Sequence, residues 1–224
     1  MIEGLKKCGV PDAVCDQLAQ KMEAYIKEIV LFNSAYNLTN TSDHDELVIR
    51  HILDSLAAFP EISRLVKNCL EANERSEVTL ADIGSGGGLP GIPLAAVFSL
   101  LPEFGGVKIQ LVERMEKRCA FLENCAAILG LKNVSVVNSE AERVSEEAYD
   151  LITFRAFRPL DKKMTKTLLR IVKKSGFLCA YKAKLENIKE EMSAISSLVP
   201  DYEVQPLNVP GLEDSERNLV IITK

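Results

Sequence analysis

The chain has 224 residues, 47% of them hydrophobic, and a formal net charge of −5. The apolar share excludes a disordered chain, and the negative charge excludes a uniformly basic nucleic-acid-binding protein. Six cysteines without a CxxC pair and only two histidines argue against a zinc centre or histidine-based catalysis. We therefore expect no bound metal. Neither a leader sequence nor an apolar stretch of membrane-spanning length is recognisable, so we expect a cytoplasmic protein.

Residues 1–75 are predicted to form an N-terminal helical extension. One helical face is formed by apolar residues that recur at steps of three and four: Val14, Leu18, Met22, Tyr25, Ile29 and Phe32. A polar break follows at 33–40. The same spacing predicts a second helix over 48–59, with Asp43 or Asp45 near its start, and a third helix over 61–72.

From residue 76 to 224, short apolar runs alternate with longer amphipathic ones. The apolar runs predict strands at 78–83, 107–112, 134–137, 151–154 and 177–181. The amphipathic runs predict helices at 115–129, closed by Gly130, and at 162–174, capped at Gly176. This alternation is typical of an α/β fold with a doubly wound, mostly parallel sheet. Two last strands, 202–207 and 219–223, have no helix between them and should form an antiparallel edge pair. We expect the extension and this domain to form one compact unit.

A glycine-rich loop follows the first strand. A nicotinamide-binding fingerprint would require glycine at position 89, where the chain has Leu89, and no lysine follows to make a P-loop. The spacing is that of an acidic residue followed by three alternating glycines: Asp82, Gly84, Gly86 and Gly88. It resembles the first motif of class I S-adenosylmethionine-dependent methyltransferases, which have a Rossmann-like fold. Glu113 ends the next strand, where a carboxylate can accept hydrogen bonds from both ribose hydroxyls.

Positive charge is concentrated in residues 155–184, which hold ten Lys or Arg against one Asp, a local net charge of +9. A polyanion could bind there, and the alternative is a solvated face with compensation of a helix dipole. If the polyanion is an RNA, the candidate RNA-binding residues are Arg158, Lys162, Lys163, Lys166 and Lys182, with Arg118 at the helix after Glu113. Lys173 and Lys174 are expected at the C-terminal end of the 162–174 helix. Phe157 is either a base-stacking residue or a core aromatic.

Six motifs, the glycine-rich loop among them, occur in order along the chain: Tyr36-Asn37-Leu38-Thr39, Arg50-His51-Ile52-Leu53-Asp54-Ser55, the loop from Asp82 to Pro93, Lys117-Arg118 with Phe121-Leu122, Arg155-Ala156-Phe157, and Glu216-Arg217-Asn218-Leu219-Val220. Together they resemble the RsmG (GidB) family, bacterial 16S ribosomal RNA N7-guanine methyltransferases. Two positions depart from the family pattern. Phe32-Asn33-Ser34 stands where a Trp is usual, and Tyr181-Lys182-Ala183 replaces Leu-Lys-Gly.

The resemblance implies a cytoplasmic enzyme that uses S-adenosylmethionine to methylate N7 of one guanine in the 16S rRNA of the small ribosomal subunit. It implies cofactor contacts at Gly84, Leu89, the pair Ala141-Glu142, and Arg155. Gly84, Gly86 and Gly88 are expected to admit the methionine end and the ribose of the cofactor. Asp82 is expected near the cofactor ammonium group, directly or through the structure of the loop. Nothing in the sequence suggests an obligate partner, so we expect a monomer.

The chemistry of the implied reaction predicts which residues are not needed. Guanine N7 is an exposed lone pair without a proton to remove, so we expect in-line transfer without a general base. Arg155 would then orient the cofactor carboxylate or the target base, unless it is only a surface arginine. Arg50, His51 and Asp54 are either part of the site wall or a structural polar cluster. The alternatives are a methyltransferase for another RNA or a small molecule, and a non-catalytic nucleic-acid-binding module.

Overall fold

A single seven-stranded sheet organises the molecule. The computed structural model describes residues 1–72, 76–155 and 160–224, and its strands lie in the order β3-β2-β1-β4-β5-β7-β6. They are β1 (Val78–Ile83), β2 (Val107–Glu113), β3 (Val134–Asn138), β4 (Tyr149–Arg155), β5 (Val172–Lys182), β6 (Glu203–Pro206) and β7 (Asn218–Thr223). The first five pair in parallel, and β7 is antiparallel to both β5 and β6. The predicted doubly wound sheet with an antiparallel edge pair is confirmed.

Helices cover both faces of the sheet. They are α1 (Ile2–Lys7), α2 (Asp12–Tyr36), α3 (His44–Leu47), α4 (Asp54–Leu56), α5 (Phe59–Ala72), α6 (Gly91–Ser99), α7 (Glu116–Ile128), α8 (Lys162–Ile171) and α9 (Leu185–Ile195). A π-helical segment, Val48–Leu53, joins α3 to α4. Such segments are rare and are frequent at functional sites.

Two apolar cores lie on the opposite faces of the sheet, because successive side chains of a strand alternate in direction. In β1, Val78 and Leu80 pack into the core that α1, α2 and α5–α7 share. Ala81 and Ile83 pack into the core beneath α8 and α9. The N-terminal helices therefore share a core with the sheet, which supports the proposal of one compact unit.

The structure corrects three predicted boundaries. α2 continues to Tyr36, into the predicted polar break. The predicted second helix is divided by the π-helical segment and by a break before α5. The prediction that Lys173 and Lys174 end the helix is wrong, because α8 ends at Ile171 and both lysines lie in β5. Pairing of Val172 with Tyr149 in β4 starts the strand at that point.

All six cysteines are buried. Within residues 1–72, 76–155 and 160–224, no cluster of His, Cys, Asp or Glu is arranged to hold a metal ion. None of the helices in these ranges is long and apolar enough to cross a membrane.

Candidate active site

A cavity of about 620 Å³ lies at the carboxyl ends of β1, β2 and β3. Ligands of open α/β sheets bind at this edge. Its lining includes Ile83 and Gly84 from the end of β1, Val112 and Glu113 from β2, and residues 139–142 after β3. We call it the glycine-loop cavity.

Glu113 holds the glycine loop against the end of β2. Its side-chain oxygen Oε2 accepts a hydrogen bond from the Gly86 N–H at 3.0 Å, and Oε1 accepts one from the Met115 N–H at 2.9 Å. Only 4% of the residue is exposed. Because a carboxylate oxygen has two lone pairs, each oxygen can accept one more bond from a group in the cavity.

Asp82 lies beneath the loop and does not line the cavity. Its Oδ2 accepts hydrogen bonds from the Ser85 hydroxyl at 2.7 Å and from the Gly91 N–H at 3.0 Å. Oδ1 is buried and has no hydrogen-bond partner within the described residues. Burial raises the pKa of this carboxyl from 3.8 to about 6, although both hydrogen bonds and Arg155 lower it. Of the two predicted roles, the geometry favours the one that acts through the loop.

The remaining loop residues divide between the cavity and the core. Gly84 and Gly86 adopt left-handed backbone angles, with φ of +69° and +58°, and Gly84 lines the cavity. Gly88 faces the protein interior, where a Cβ would lie 2.6 Å from Ile92 and 2.9 Å from the Tyr25 hydroxyl. The side chain of Leu89 is buried in the core.

The far wall of the cavity brings together residues predicted for two different roles. Ala141 and Glu142, predicted to contact the cofactor, lie in a short 3-10 turn after β3. Arg118, predicted to bind RNA, lines the same cavity, and its Nη2 donates to the Asn37 carbonyl at 2.8 Å. Arg118 Nε is buried without a partner in the described part of the chain. The Arg118 guanidinium therefore forms part of this wall, where the Asn37 carbonyl holds it.

Arg155 ends β4 but points away from the glycine-loop cavity, toward the N-terminal helices. Its Nη1 donates to Asp54 Oδ2 at 2.6 Å and to the Arg50 carbonyl at 3.2 Å. Its Nη2 lies 3.1 Å from His51 Nδ1. The structure thus connects the Arg50–Ser55 motif with the Arg155 motif.

Asp54 also binds a second arginine, which the sequence analysis did not single out as a site residue. Arg217 Nε donates to Asp54 Oδ1 at 3.1 Å. The side chain of Asp54 is only 10% exposed, so this carboxylate is enclosed between the two guanidinium groups. Burial and the charge of Arg155 lower the pKa of the nearby His51 to about 4. We call Asp54, Arg155, Arg217 and His51 the arginine cluster. The only sequence signal for Arg217 was its place in the C-terminal motif.

The predicted RNA-binding residues occupy different environments. Lys162, Lys163 and Lys166 are exposed on α8, and Lys163 also lines the glycine-loop cavity. Lys182 forms an ion pair with Glu191 at 2.8 Å. Arg158 and Phe157 lie outside the described residues.

The cavity suits S-adenosylmethionine in the chemistry of its walls. It combines a pinned carboxylate, Glu113, with apolar side chains such as Ile83 and Val112 and with the guanidinium group of Arg118. An adenosine group needs apolar walls for its ring and acceptors for its ribose hydroxyls. Together with the strand order, the acidic glycine loop and the acidic end of β2, this defines a class I S-adenosylmethionine-dependent methyltransferase.

Comparison with known proteins identifies the family. The model of the GidB family, rRNA small subunit methyltransferase G, matches residues 18–220. Ribosomal RNA small subunit methyltransferase G of Treponema denticola is 39% identical over 239 aligned positions, which cover 100% of this chain and 93% of that protein. The protein of the same name from Neisseria meningitidis is 34% identical, over 94% of this chain and 91% of its own. The chain belongs to the rRNA small subunit methyltransferase G family.

Solved structures agree with the fold. A candidate S-adenosyl-L-methionine-dependent methyltransferase of Methanococcus maripaludis superposes with a TM-score of 0.57 and 15% identity, over 89% of this chain and 91% of that chain. The tRNA (m1A58) methyltransferase TrmI of Aquifex aeolicus gives a TM-score of 0.51 and 14% identity, over 71% and 68% of the two chains. At these identities the likeness concerns the fold alone.

Proposed function

We propose that the protein transfers a methyl group from S-adenosylmethionine to N7 of a specific guanine in 16S rRNA, acting in the cytoplasm as a monomer. The observation that carries the proposal is the glycine-loop cavity with Glu113 pinned at its edge, in a chain of the rRNA small subunit methyltransferase G family. The relatives' names support the small-subunit rRNA as substrate.

The cofactor would be held by groups from three strand ends. Glu113 would accept hydrogen bonds from the ribose hydroxyls with its remaining lone pairs, and Gly84 would let the backbone approach the ligand. Ala141 and Glu142 would flank the adenine ring. Leu89 and Asp82 would act indirectly, because one is packed in the core and the other binds the loop from below.

When bound, S-adenosylmethionine would supply an electrophilic methyl group on a sulfonium, which the N7 lone pair would accept while the electron pair of the S–CH₃ bond stays on sulfur. The protein has no proton to remove from N7, so the transfer requires no general base. Its task is alignment of the two reactants, an effect worth roughly 7–11 kcal/mol at the extreme. Rigid loop contacts such as those of Asp82 and Glu113 would provide that alignment.

Binding of the rRNA would use exposed lysines on α8. Lys162 and Lys166 are four residues apart and lie on the same helical face. Loss of one phosphate contact should lower the magnitude of the slope of log K, the rRNA-binding constant, against log salt concentration by roughly 0.7–0.9. Lys163 is a poor choice for this test because it also lines the glycine-loop cavity.

The double variant Lys162→Glu with Lys166→Glu should therefore weaken binding of small-subunit rRNA while the affinity for S-adenosylmethionine stays unchanged. The matched control is Lys7→Glu with Lys27→Glu, which reverses two exposed charges on the N-terminal helices. Equal rRNA binding by the two double variants would show that α8 is only a solvated face.

The decisive test of the function is a map of 7-methylguanine in 16S rRNA from cells with and without this protein. One guanine should lose its methyl group when the protein is absent. Calorimetry should show binding of S-adenosylmethionine to the purified protein. An unchanged methylation map would refute the rRNA substrate, and absence of cofactor binding would refute the enzymatic assignment.

A further inference from the structure

A second, larger cavity of about 830 Å³ lies beside the first, at the carboxyl ends of β4 and β5. It is bounded by α9 on one side and by the arginine cluster on the other. Its lining shares no residue with that of the glycine-loop cavity among the residues described. Because β4 pairs directly with β1, the two cavities open on neighbouring strand ends. Of the residues that the sequence analysis assigned to the cofactor, only Arg155 lines this cavity.

The walls of this cavity suit a planar base with polar edges. Phe154, Leu160, Tyr181 and Ile188 supply apolar surface for the flat ring. Among the described residues the charged lining is balanced, with four cationic side chains, Arg155, Arg217, Lys182 and Lys184, and four carboxylates, Asp54, Asp161, Glu190 and Glu191. A small apolar metabolite would have no use for these groups, whereas a nucleobase needs apolar surface for its ring and polar partners for its edges.

Asp54 orients the two arginines at this cavity. It binds Arg155 at 2.6 Å and Arg217 at 3.1 Å, and one carboxylate between two guanidinium groups leaves the trio with a net positive charge. The Tyr181 hydroxyl, which donates to the Ser55 carbonyl at 2.8 Å, ties the same N-terminal segment to the end of β5. The wall is thus built from three distant parts of the chain.

A partly buried ion pair offers the hydrogen-bonding pattern of a guanine edge. Lys182 Nζ donates to Glu191 Oε1 at 2.8 Å, and the two side chains are 18% and 16% exposed. Glu191 Oε1 also accepts from the Leu160 N–H, whereas Oε2 has no hydrogen-bond partner among the described residues. Guanine presents an O6 acceptor and an N2 amino donor. An ammonium donor beside a carboxylate acceptor complements these two groups.

We propose that this cavity receives the target guanine of the rRNA, flipped out of its stack, and that Lys182 and Glu191 read its Watson–Crick edge. Enzymes that modify a base commonly extrude it into a pocket and read it in this way. The proposal rests on the proposed function, since it assumes a guanine acceptor. It makes Lys182 and Glu191 specificity-determining residues.

The first experiment fills the cavity from a side chain outside the proposed contacts. Ala194 on α9 lines the cavity, and its neighbour Ser193 is exposed on the same helix without lining it. Ala194→Phe should lower kcat/KM for small ribosomal subunits from cells lacking this enzyme by at least tenfold. Ser193→Phe should leave it near the wild-type value. The dissociation constant for S-adenosylmethionine should be unchanged in both variants.

The second experiment tests the reading of the base. Glu191→Gln keeps the shape of the side chain and an oxygen for the Leu160 N–H but loses the carboxylate charge. Wild type should lose about tenfold or more in kcat/KM when the target guanosine is replaced by inosine, which lacks the N2 amino group. Glu191→Gln should lose less on the same replacement, because its contact to that group is already weakened.

The outcomes separate the two proposals. If the wild type binds the cofactor but methylates no rRNA, the proposed function fails. If the wild type methylates rRNA and Ala194→Phe equals Ser193→Phe in kcat/KM, the cavity is not the acceptor site although the function stands. If the replacement of guanosine by inosine lowers kcat/KM of the wild type and of Glu191→Gln by the same factor, Glu191 does not read the base.

Discussion

Replacing Asp82 with Asn should remove a pH dependence of stability that this one carboxyl produces. The pKa of Asp82 is raised from 3.8 to about 6, chiefly by burial. A raised pKa means that the folded protein holds the proton more tightly than the unfolded chain does. Protonation of Asp82 therefore stabilises the folded state. This contribution to the free energy of unfolding is complete below pH 3.8 and is lost as the pH rises through 6. At 1.36 kcal/mol for each pKa unit, the difference amounts to about 3 kcal/mol.

The assay is urea unfolding of wild type and Asp82→Asn between pH 4 and pH 7. Asn lacks the titration, so the stability of wild type relative to the variant should fall by up to about 3 kcal/mol over this range. Asp201→Asn, which removes an exposed carboxylate, is the matched control for the loss of one negative charge. A difference between wild type and Asp82→Asn that stays constant with pH would refute the reasoning, because it would mean that burial does not perturb this carboxyl.

Four other predictions concern the loop and the arginine cluster. Gly88→Ala should destabilise the fold by roughly 2–4 kcal/mol in urea unfolding, since its Cβ would lie 2.6 Å from Ile92 at a φ of +92°; Gly130→Ala, at a φ of +63° in open space, should lose only about 1–2 kcal/mol. Glu113→Gln should weaken binding of S-adenosylmethionine at least tenfold in calorimetry, and an unchanged affinity would contradict its role at the ribose. Asp54→Ala should reduce the free energy of unfolding by about 3–5 kcal/mol, because two arginines lose their buried partner. The lowered pKa of His51 makes the pH dependence of stability opposite in sign to that of Asp82. Neutral His51 contributes to the free energy of unfolding above pH 6.5, and this contribution is lost as the pH falls toward 4. The variant His51→Gln should lack this pH dependence in urea unfolding.

Local patterns in the sequence were sufficient to predict the sheet and the position of the glycine loop. Buried apolar runs predicted the strands, and the acid-glycine spacing placed Asp82 and Glu113 at adjacent strand ends, where the structure has them. The error at Lys173 and Lys174 has a physical reason. Lys173 reaches Asp150 across the β4 pairing, at 2.9 Å, and a helical period cannot reveal such a contact.

The arginine cluster could not be predicted, because its contacts are distant in sequence. Asp54 and Arg217 are 163 positions apart, and Asp54 and Arg155 are 101 apart. No periodicity or motif spacing connects them. The same holds for Arg118, which was assigned to RNA from its charge but lines the glycine-loop cavity beside Glu113. Only the packing of the N-terminal helices on the sheet brings these groups together.

The alkylation rates of the six buried cysteines can be used to measure local opening of the protein. Burial raises the pKa of Cys8, Cys125 and Cys179, so an alkylating reagent finds little thiolate in the closed protein. Labelling of each thiol then requires the surrounding element to open. Cys8 follows α1, Cys125 lies in α7 and Cys179 in β5. Their relative labelling rates would show whether the first helices detach before the sheet opens, without a single engineered residue.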